Sequence, residues 1–272
     1  VENAIYDAGG NVASTAQTNK TTSLFDQTAP NITTVTLAAD NSTIAVVFSV
    51  AVFNTNGGSG ALDSADFVLS ITGGTATLSS ATPTSLSASG NTYTLGIGLS
   101  GTPNGGEVLK VLPAENAIYD EVGNPSSVTQ SNNTANLKDK AAPTIASVTT
   151  ASDNKSITVT FSESVFNTNG GSGALDSADF AFSITGGTAT LSSALPNEIS
   201  ASGNVYTLGI SLSGTADGSE MLVVVPVESA IFDSVGNVAS TTQTNNTANL
   251  KDKTAPTVSS FKLESNNSAI EA

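Results

Sequence analysis

SITVTFSESVFNTNGGSGALDSADFAFSIT, residues 156–185, begins and ends on strict alternation. Ile157, Val159 and Phe161 share one face of the opening run, and Phe180, Phe182 and Ile184 share one face of the closing run. A period of two predicts half-buried strands, so this stretch reads as strand, Gly-rich loop, strand. NVYTLGISLS (204–213) repeats the pattern with Tyr206, Leu208, Ile210 and Leu212, and TIASVTT, GTATLSSA, EMLVVVPV and VASTTQTNNTANL complete a set of seven strands. Clusters of Gly, Asn, Asp and Ser separate them, and no segment carries the helical period.

The same pattern occurs earlier in the chain, with Phe67, Leu69 and Ile71, and with Tyr93, Leu95, Ile97 and Leu99. Pro30, Pro143 and Pro256 each follow an alanine, and 143 minus 30 and 256 minus 143 both give 113. Asp7, Asp120 and Asp233 keep that spacing inside IYDAGGN, IYDEVGN and IFDSVGN, as do Asp26, Asp139 and Asp252 ahead of the Ala-Pro pairs. FNTNGGSGALDSADF stands unchanged at 53–67 and 166–180. Boundaries at the linkers give complete units at 27–139 and 140–252, with the C-terminal part of a preceding repeat at 1–26 and the N-terminal part of a following one at 253–272. The expected fold is all-β: tandem immunoglobulin-like antiparallel sandwiches with a 113-residue period, lacking the Cys pair and core Trp of antibody domains. Such arrays serve reach more often than chemistry.

Composition narrows the function. The 23 acidic residues against 8 lysines give a net charge of -15, which repels nucleic acid. With no Cys, His or Trp, the chain forms no zinc site, thiol nucleophile or His-based triad. Phe and Tyr fall mostly on core-facing strand positions rather than lining a sugar cleft, so we expect no enzyme. No apolar run approaches the roughly 20 residues of a membrane helix.

The D-x-x-A-P openings, the VTFSESVF strand, the late YTLGI strand and the closing AIYDEVGN make each unit resemble the bacterial immunoglobulin-like repeats of giant surface proteins. It is most similar to the SWM-type repeat, associated with a cell-surface protein needed for swimming in marine cyanobacteria. That resemblance implies an extracellular or cell-surface location in a bacterium. It also implies calcium held between domains by aspartates of the linker and the D-x-x-G-N turn: Asp26 with Asp120, and Asp139 with Asp233.

The residues support a cation independently. With strands lettered A to G and alternating in direction, the entry linker and the BC, DE and FG loops share one end. This gathers Asp26, Asp63, Asp66, Glu115 and Asp120 in the first unit, and Asp139, Asp176, Asp179, Glu228 and Asp233 in the second. Clustered carboxylates raise one another's pKa or push the loops apart, and a hard divalent cation relieves both. Calcium takes oxygen ligands in flexible geometry, which suits these residues, with Asn124 and Asn237 as further donors and Asp7 and Asp252 as counterparts in the partial repeats. Each candidate has a plainer reading. D-x-x-G-N forms an Asx turn, Asp26, Asp139 and Asp252 are solvated linker residues, and Asp63 and Asp66, like Asp176 and Asp179, cap a strand or short helical turn.

GGSGALD has its aspartate one residue too late for the calcium-binding nonapeptide, and no helix or lysine follows to make a phosphate cradle. Residues 54–60 therefore read as a flexible connector. The expected function is a stalk segment of a very large secreted or surface protein serving adhesion or motility, stiffened by calcium at its joints. Its partners are neighbouring repeats of the same chain. The alternatives are a module binding cell-surface or matrix glycans, and a subunit of an extracellular filament built from copies of itself.

Overall fold

The computed structural model describes residues 5–14, 16, 18, 21–263, 265 and 270–271; the other positions of the expected partial repeats 1–26 and 253–272 lie outside the described residues. The chain divides into two compact units, Val1–Lys138 and Asp139–Ala272.

The first unit contains β1 (Ile32–Leu37), β2 (Thr43–Phe48), β3 (Phe67–Thr72), β4 (Thr77–Leu78), β5 (Leu86–Ser89), β6 (Thr92–Gly96), β7 (Leu99–Ser100), β8 (Val108–Pro113) and β9 (Thr134–Asn136). The second contains β10 (Ile145–Thr150), β11 (Ser156–Phe161), β12 (Phe180–Thr185), β13 (Thr190–Leu191), β14 (Ile199–Ser202), β15 (Val205–Gly209), β16 (Leu212–Ser213), β17 (Met221–Pro226) and β18 (Thr247–Asn249). After them come β19 (Lys262–Leu263) and β20 (Ile270–Glu271), an antiparallel pair. Among the described residues there is no α-helix.

In each unit one sheet runs β1-β2-β6-β5 or β10-β11-β15-β14, and another runs β3-β8-β9 or β12-β17-β18, with antiparallel pairing throughout. This strand order is the A-B-E-D and C-F-G arrangement of a constant-type sandwich. The alternation seen in sequence faces the core as expected: Ile157, Val159, Phe161 and Phe180 are at most 1% exposed. Phe161, Phe180 and Tyr206 form a mutual contact with ring centroids 5.8 to 6.2 Å apart, and Phe48, Phe67 and Tyr93 do the same in the first unit. These aromatic trios supply the bulk and edge-to-face attraction that other sandwiches draw from a Trp and a disulfide.

Three strands differ from expectation, and one is NVYTLGISLS, which divides into β15 and a separate two-residue β16 paired with β13. GTATLSSA yields only the two-residue β13, and the fourth strand of the larger sheet is β14, an exposed ISAS edge whose only partly buried residue is Ile199. Without a buried face, such an edge has no alternation to read. The Thr/Asn-rich final strand shortens to β18 because the preceding Asn246 is buried and spends its side chain on Val224 O at 2.8 Å.

Candidate functional site

The D-x-x-G-N turns build themselves from local hydrogen bonds. Asp120 Oδ1 accepts the backbone N–H groups of Val122, Gly123 and Asn124 at 2.8 to 3.0 Å, and Oδ2 accepts Asn124 Nδ2 at 2.7 Å. Asp233 repeats this with Val235, Gly236 and Asn237. Asp7 does so with Gly9 and Asn11, although that turn is exposed. Gly123 and Gly236 supply the positive φ (97 in both) that closes the loop. Burial opposes ionisation of Asp120, but the donations from Asn124, Gly123 and Val122 outweigh it and hold the carboxyl below its ordinary value. Donation from the Asn11 side chain does the same for Asp7.

The entry linker reaches this turn. Asn124 Nδ2 donates to Asp26 O at 3.3 Å, Ser126 Oγ to Pro30 O at 2.9 Å, and Ile32 N to Gln130 Oε1 at 2.8 Å. Asp26, Asp139 and Asp252 each accept the backbone N–H two residues on, at 2.8 Å. The BC loop joins the same end, because Phe53 exchanges both backbone hydrogen bonds with Tyr119 at 2.8 Å. Linker, BC loop and D-x-x-G-N turn therefore meet, as the alternating strand directions require.

In the second unit, Asp139, Glu163 and Asp233 offer carboxylate oxygens that all lie within 4.8 Å of one another. Asp233 is fully buried, whereas Asp139 and Glu163 are half-buried. Burial, followed by the negative charges of Asp139 and Asp233, pushes Glu163 up to about 7. Two of the three members were expected; Glu163 was not. Its counterpart in the first unit is Val50, so this acid is not part of the repeated pattern. In the first unit the corresponding end is a shallow cavity of about 150 Å³ lined by Asp26, Val50, Ala51, Asp120, Glu121 and Val122.

The remaining candidates lie elsewhere. Asp63 caps a three-residue 3-10 turn (Ser64–Asp66), accepting Ala65 N at 2.7 Å, while Asp66 Oδ2 accepts Asp63 N at 2.7 Å. Asp176 and Asp179 form the same reciprocal cap. Burial pushes Asp66 and Asp179 up, helped by the adjacent aspartate charge. Glu115 and Glu228 are exposed.

Two further features have roles that sequence patterning does not signal. Glu107 and Glu220 are fully buried. Glu220 accepts from Thr188, Ala189, Asp217 and Gly218 N at 2.9 to 3.1 Å, and Glu107 from Thr75, Ala76 and Asn104 N. Burial alone would raise these acids, but the donors prevail and hold Glu107 below its ordinary value and Glu220 at about 2. Asn41 pairs with the exit segment after β9, donating Nδ2 to Lys138 O and accepting Lys138 N, both at 2.8 Å; Asn154 treats Lys251 likewise. The partners lie 97 residues apart, out of reach of any local motif.

Residues 54–60 are not a loose connector. Thr55 and Ser59 bridge across a tight tip, and a Cβ on Gly58 would stand 2.8 Å from Glu121 O, so only glycine lets the tip pack on the D-x-x-G-N turn.

No family model matches the chain, and no curated protein matches it. Among solved structures it is similar to the N-terminal part of the bacterial S-layer protein SbsC, at 17% identity and a TM-score of 0.30. The match covers 82% of this chain and 43% of that one, so the chain spans less than half of the SbsC fragment. The titin domains Z1Z2 in complex with telethonin match at 16% identity and a TM-score of 0.23, covering 84% of this chain and 98% of that one. A chimeric titin Z1Z2 carrying a decorin peptide gives 16% and 0.20, covering 85% and 100%.

Proposed function

We propose that the chain is a spacer segment from the stalk of a large secreted or cell-surface bacterial repeat protein, serving adhesion or motility through tandem immunoglobulin-like units. One observation carries the reading: within each unit the chain enters at one end and leaves at the other, and side-chain amides fasten both points. Gln130 and Gln243 hold the first strand at Ile32 and Ile145, beside the D-x-x-G-N turn. Asn41 and Asn154, in the turn after that strand, hold the exit residues Lys138 and Lys251. Entry and exit at opposite ends of a unit favour a spacer role. Antibodies raised against this segment are expected to label the outer surface of intact cells; label confined to the interior overturns the reading.

Calcium belongs to the same proposal. Three carboxylates with no nitrogen or sulfur ligand suit a hard divalent cation, and a cation offsets both the burial and the neighbouring negative charges that raise Glu163. The ion takes Asp139, Glu163 and Asp233. The first unit, with Val50 in place of the glutamate, offers a poorer site. A cation on Asp139 fastens the start of the second unit to that unit's own D-x-x-G-N turn. Titration calorimetry is expected to find one site per chain, and small-angle scattering to show a narrower range of dimensions with Ca²⁺ than with chelator. Absence of binding overturns the cation, and an unchanged scattering profile overturns the stiffening.

A further inference from the structure

The tip of the BC loop remains unexplained by a spacer role, although its sequence carries a reactive pair. Asn-Gly occurs at 56–57, 104–105 and 169–170. In such a pair the glycine nitrogen attacks the asparagine side-chain carbonyl carbon with no Cβ to obstruct it. The new C–N bond closes a five-membered succinimide and ammonia leaves. Water then opens the ring at either carbonyl, giving aspartate or isoaspartate. The sum is an amide plus water exchanged for an acid plus ammonia, with no oxidant or reductant.

The three pairs are held differently. At Asn104 the attacking Gly105 N is as unbonded as at the tips, but the side chain is occupied, with Oδ1 accepting Gly106 N at 3.1 Å, and the preceding backbone is held because Asn104 N donates to the buried Glu107 carboxylate. At the two tips, Asn56 and Asn169 are exposed, and among the described residues no group hydrogen-bonds to either side chain or to Gly57 N or Gly170 N. Gly57 and Gly170 have φ of 110 and 115, and open space surrounds the position where a Cβ would stand. Attacking nitrogen and target carbon are both unengaged, next to a residue that imposes no steric barrier. The amide oxygens of Asn56 and Asn169 lie so close over Gly123 and Gly236 that a Cβ there would stand 2.0 and 2.1 Å away.

We propose that Asn56 and Asn169 are sites of spontaneous deamidation, which places a new carboxylate or an isoaspartyl linkage against the D-x-x-G-N turn of each unit. The modification adds negative charge at the end that already holds Asp120 or Asp233, so the charge there grows with the age of the molecule. The proposal does not depend on the spacer reading or on calcium.

The test incubates the folded 272-residue chain in mildly alkaline buffer at 37 °C. Peptide mass spectrometry follows the mass gain of amide-to-acid conversion, and an isoaspartyl methyltransferase assay counts the isoaspartyl product. A parallel sample in denaturant gives the rates without structure. In the folded chain, peptides containing Asn56 and Asn169 are expected to convert severalfold faster than the peptide containing Asn104, with the three converging when unfolded. Conversion at the tips no faster than at Asn104, or blocked by folding, overturns the proposal. Asn56→Gln and Asn169→Gln chains should each lose conversion at the altered tip alone; persistence of product there would count equally against it.

Discussion

The two units share a backbone plan but differ at the end where linker and turn meet. The first places Val50 and Glu121 beside Asp26 and Asp120; the second places Glu163 and Ser234 beside Asp139 and Asp233. Both turns are intact, so the turn aspartates need no metal to account for them: four N–H donors already satisfy each. What sets the second unit apart is a single glutamate that converts two neighbouring acids into a close trio. Scaffold and charge are thus carried by different residues, and one substitution alters the second without disturbing the first.

The largest effect tests what the units have in common. Glu220→Gln and Glu107→Gln each replace an acceptor-only carboxylate with a group that also donates, leaving buried backbone N–H groups unmatched, at a cost of about 3 kcal/mol or more. Chemical denaturation should show similar losses in both variants. A loss below about 1 kcal/mol would mean that the buried acid does not organise its loops.

The next effect separates the units. Ca²⁺ at about 100 times its dissociation constant should stabilise the second unit by about 2.7 kcal/mol. Glu163→Val should abolish this and Val50→Glu should create it in the first unit, as read by calorimetry. Identical Ca²⁺ responses in the two variants would erase the proposed difference.

A pH series in chelator sharpens the same contrast. Glu163 is raised from 4.5 to about 7, so its folded form keeps the proton longer. The stability it confers is complete below 4.5 and is lost as pH rises towards 7. Glu220 is lowered from 4.5 to about 2, so its contribution is present above 4.5 and lost as pH falls towards 2. Without cation, these two groups should therefore make the second unit weaken on both sides of pH 4.5. Glu163→Gln should remove the loss on the neutral side, and persistence of that loss would assign it to other groups. The smallest effect is expected from Asn104→Asp. Asp217 already fills that position in the second unit, with its Oδ1 on Ser219 N at 2.9 Å, so the melting temperature should shift by no more than about 0.5 kcal/mol implies.

Much of this architecture was legible from alternation alone, because β2, β3, β6 and β8 and their counterparts each bury one face fully and the other only in part or not at all. β5 and β14 were not, since an exposed edge buries almost nothing and its Ser-Ala-Ser sequence reads as loop. The D-x-x-G-N turn was readable because its bonds span at most four residues. Glu163 was hidden by the repeat itself, which drew attention to what the units share. The Asn41 clamp depends on a partner 97 residues away, and the buried glutamates gather backbone donors both from their own turn and from 31 or 32 residues away, which carry no signature in sequence.

The fastening of the entry linker has a mechanical consequence. Pro30 and Ile32 are bonded to Ser126 and Gln130, which lie on the segment running through β9 to the exit at Lys138. Tension applied at the two ends of the unit is therefore shared first by this outer seam, before the strands of the core are drawn apart. The second unit lacks the Ser126 bond, because Ala239 stands there, but gains one from Thr150 Oγ1 to Asn249 O at 2.8 Å. Under a pull the seams should rupture at different points along their length, while the aromatic core behind each stays closed until its seam has failed.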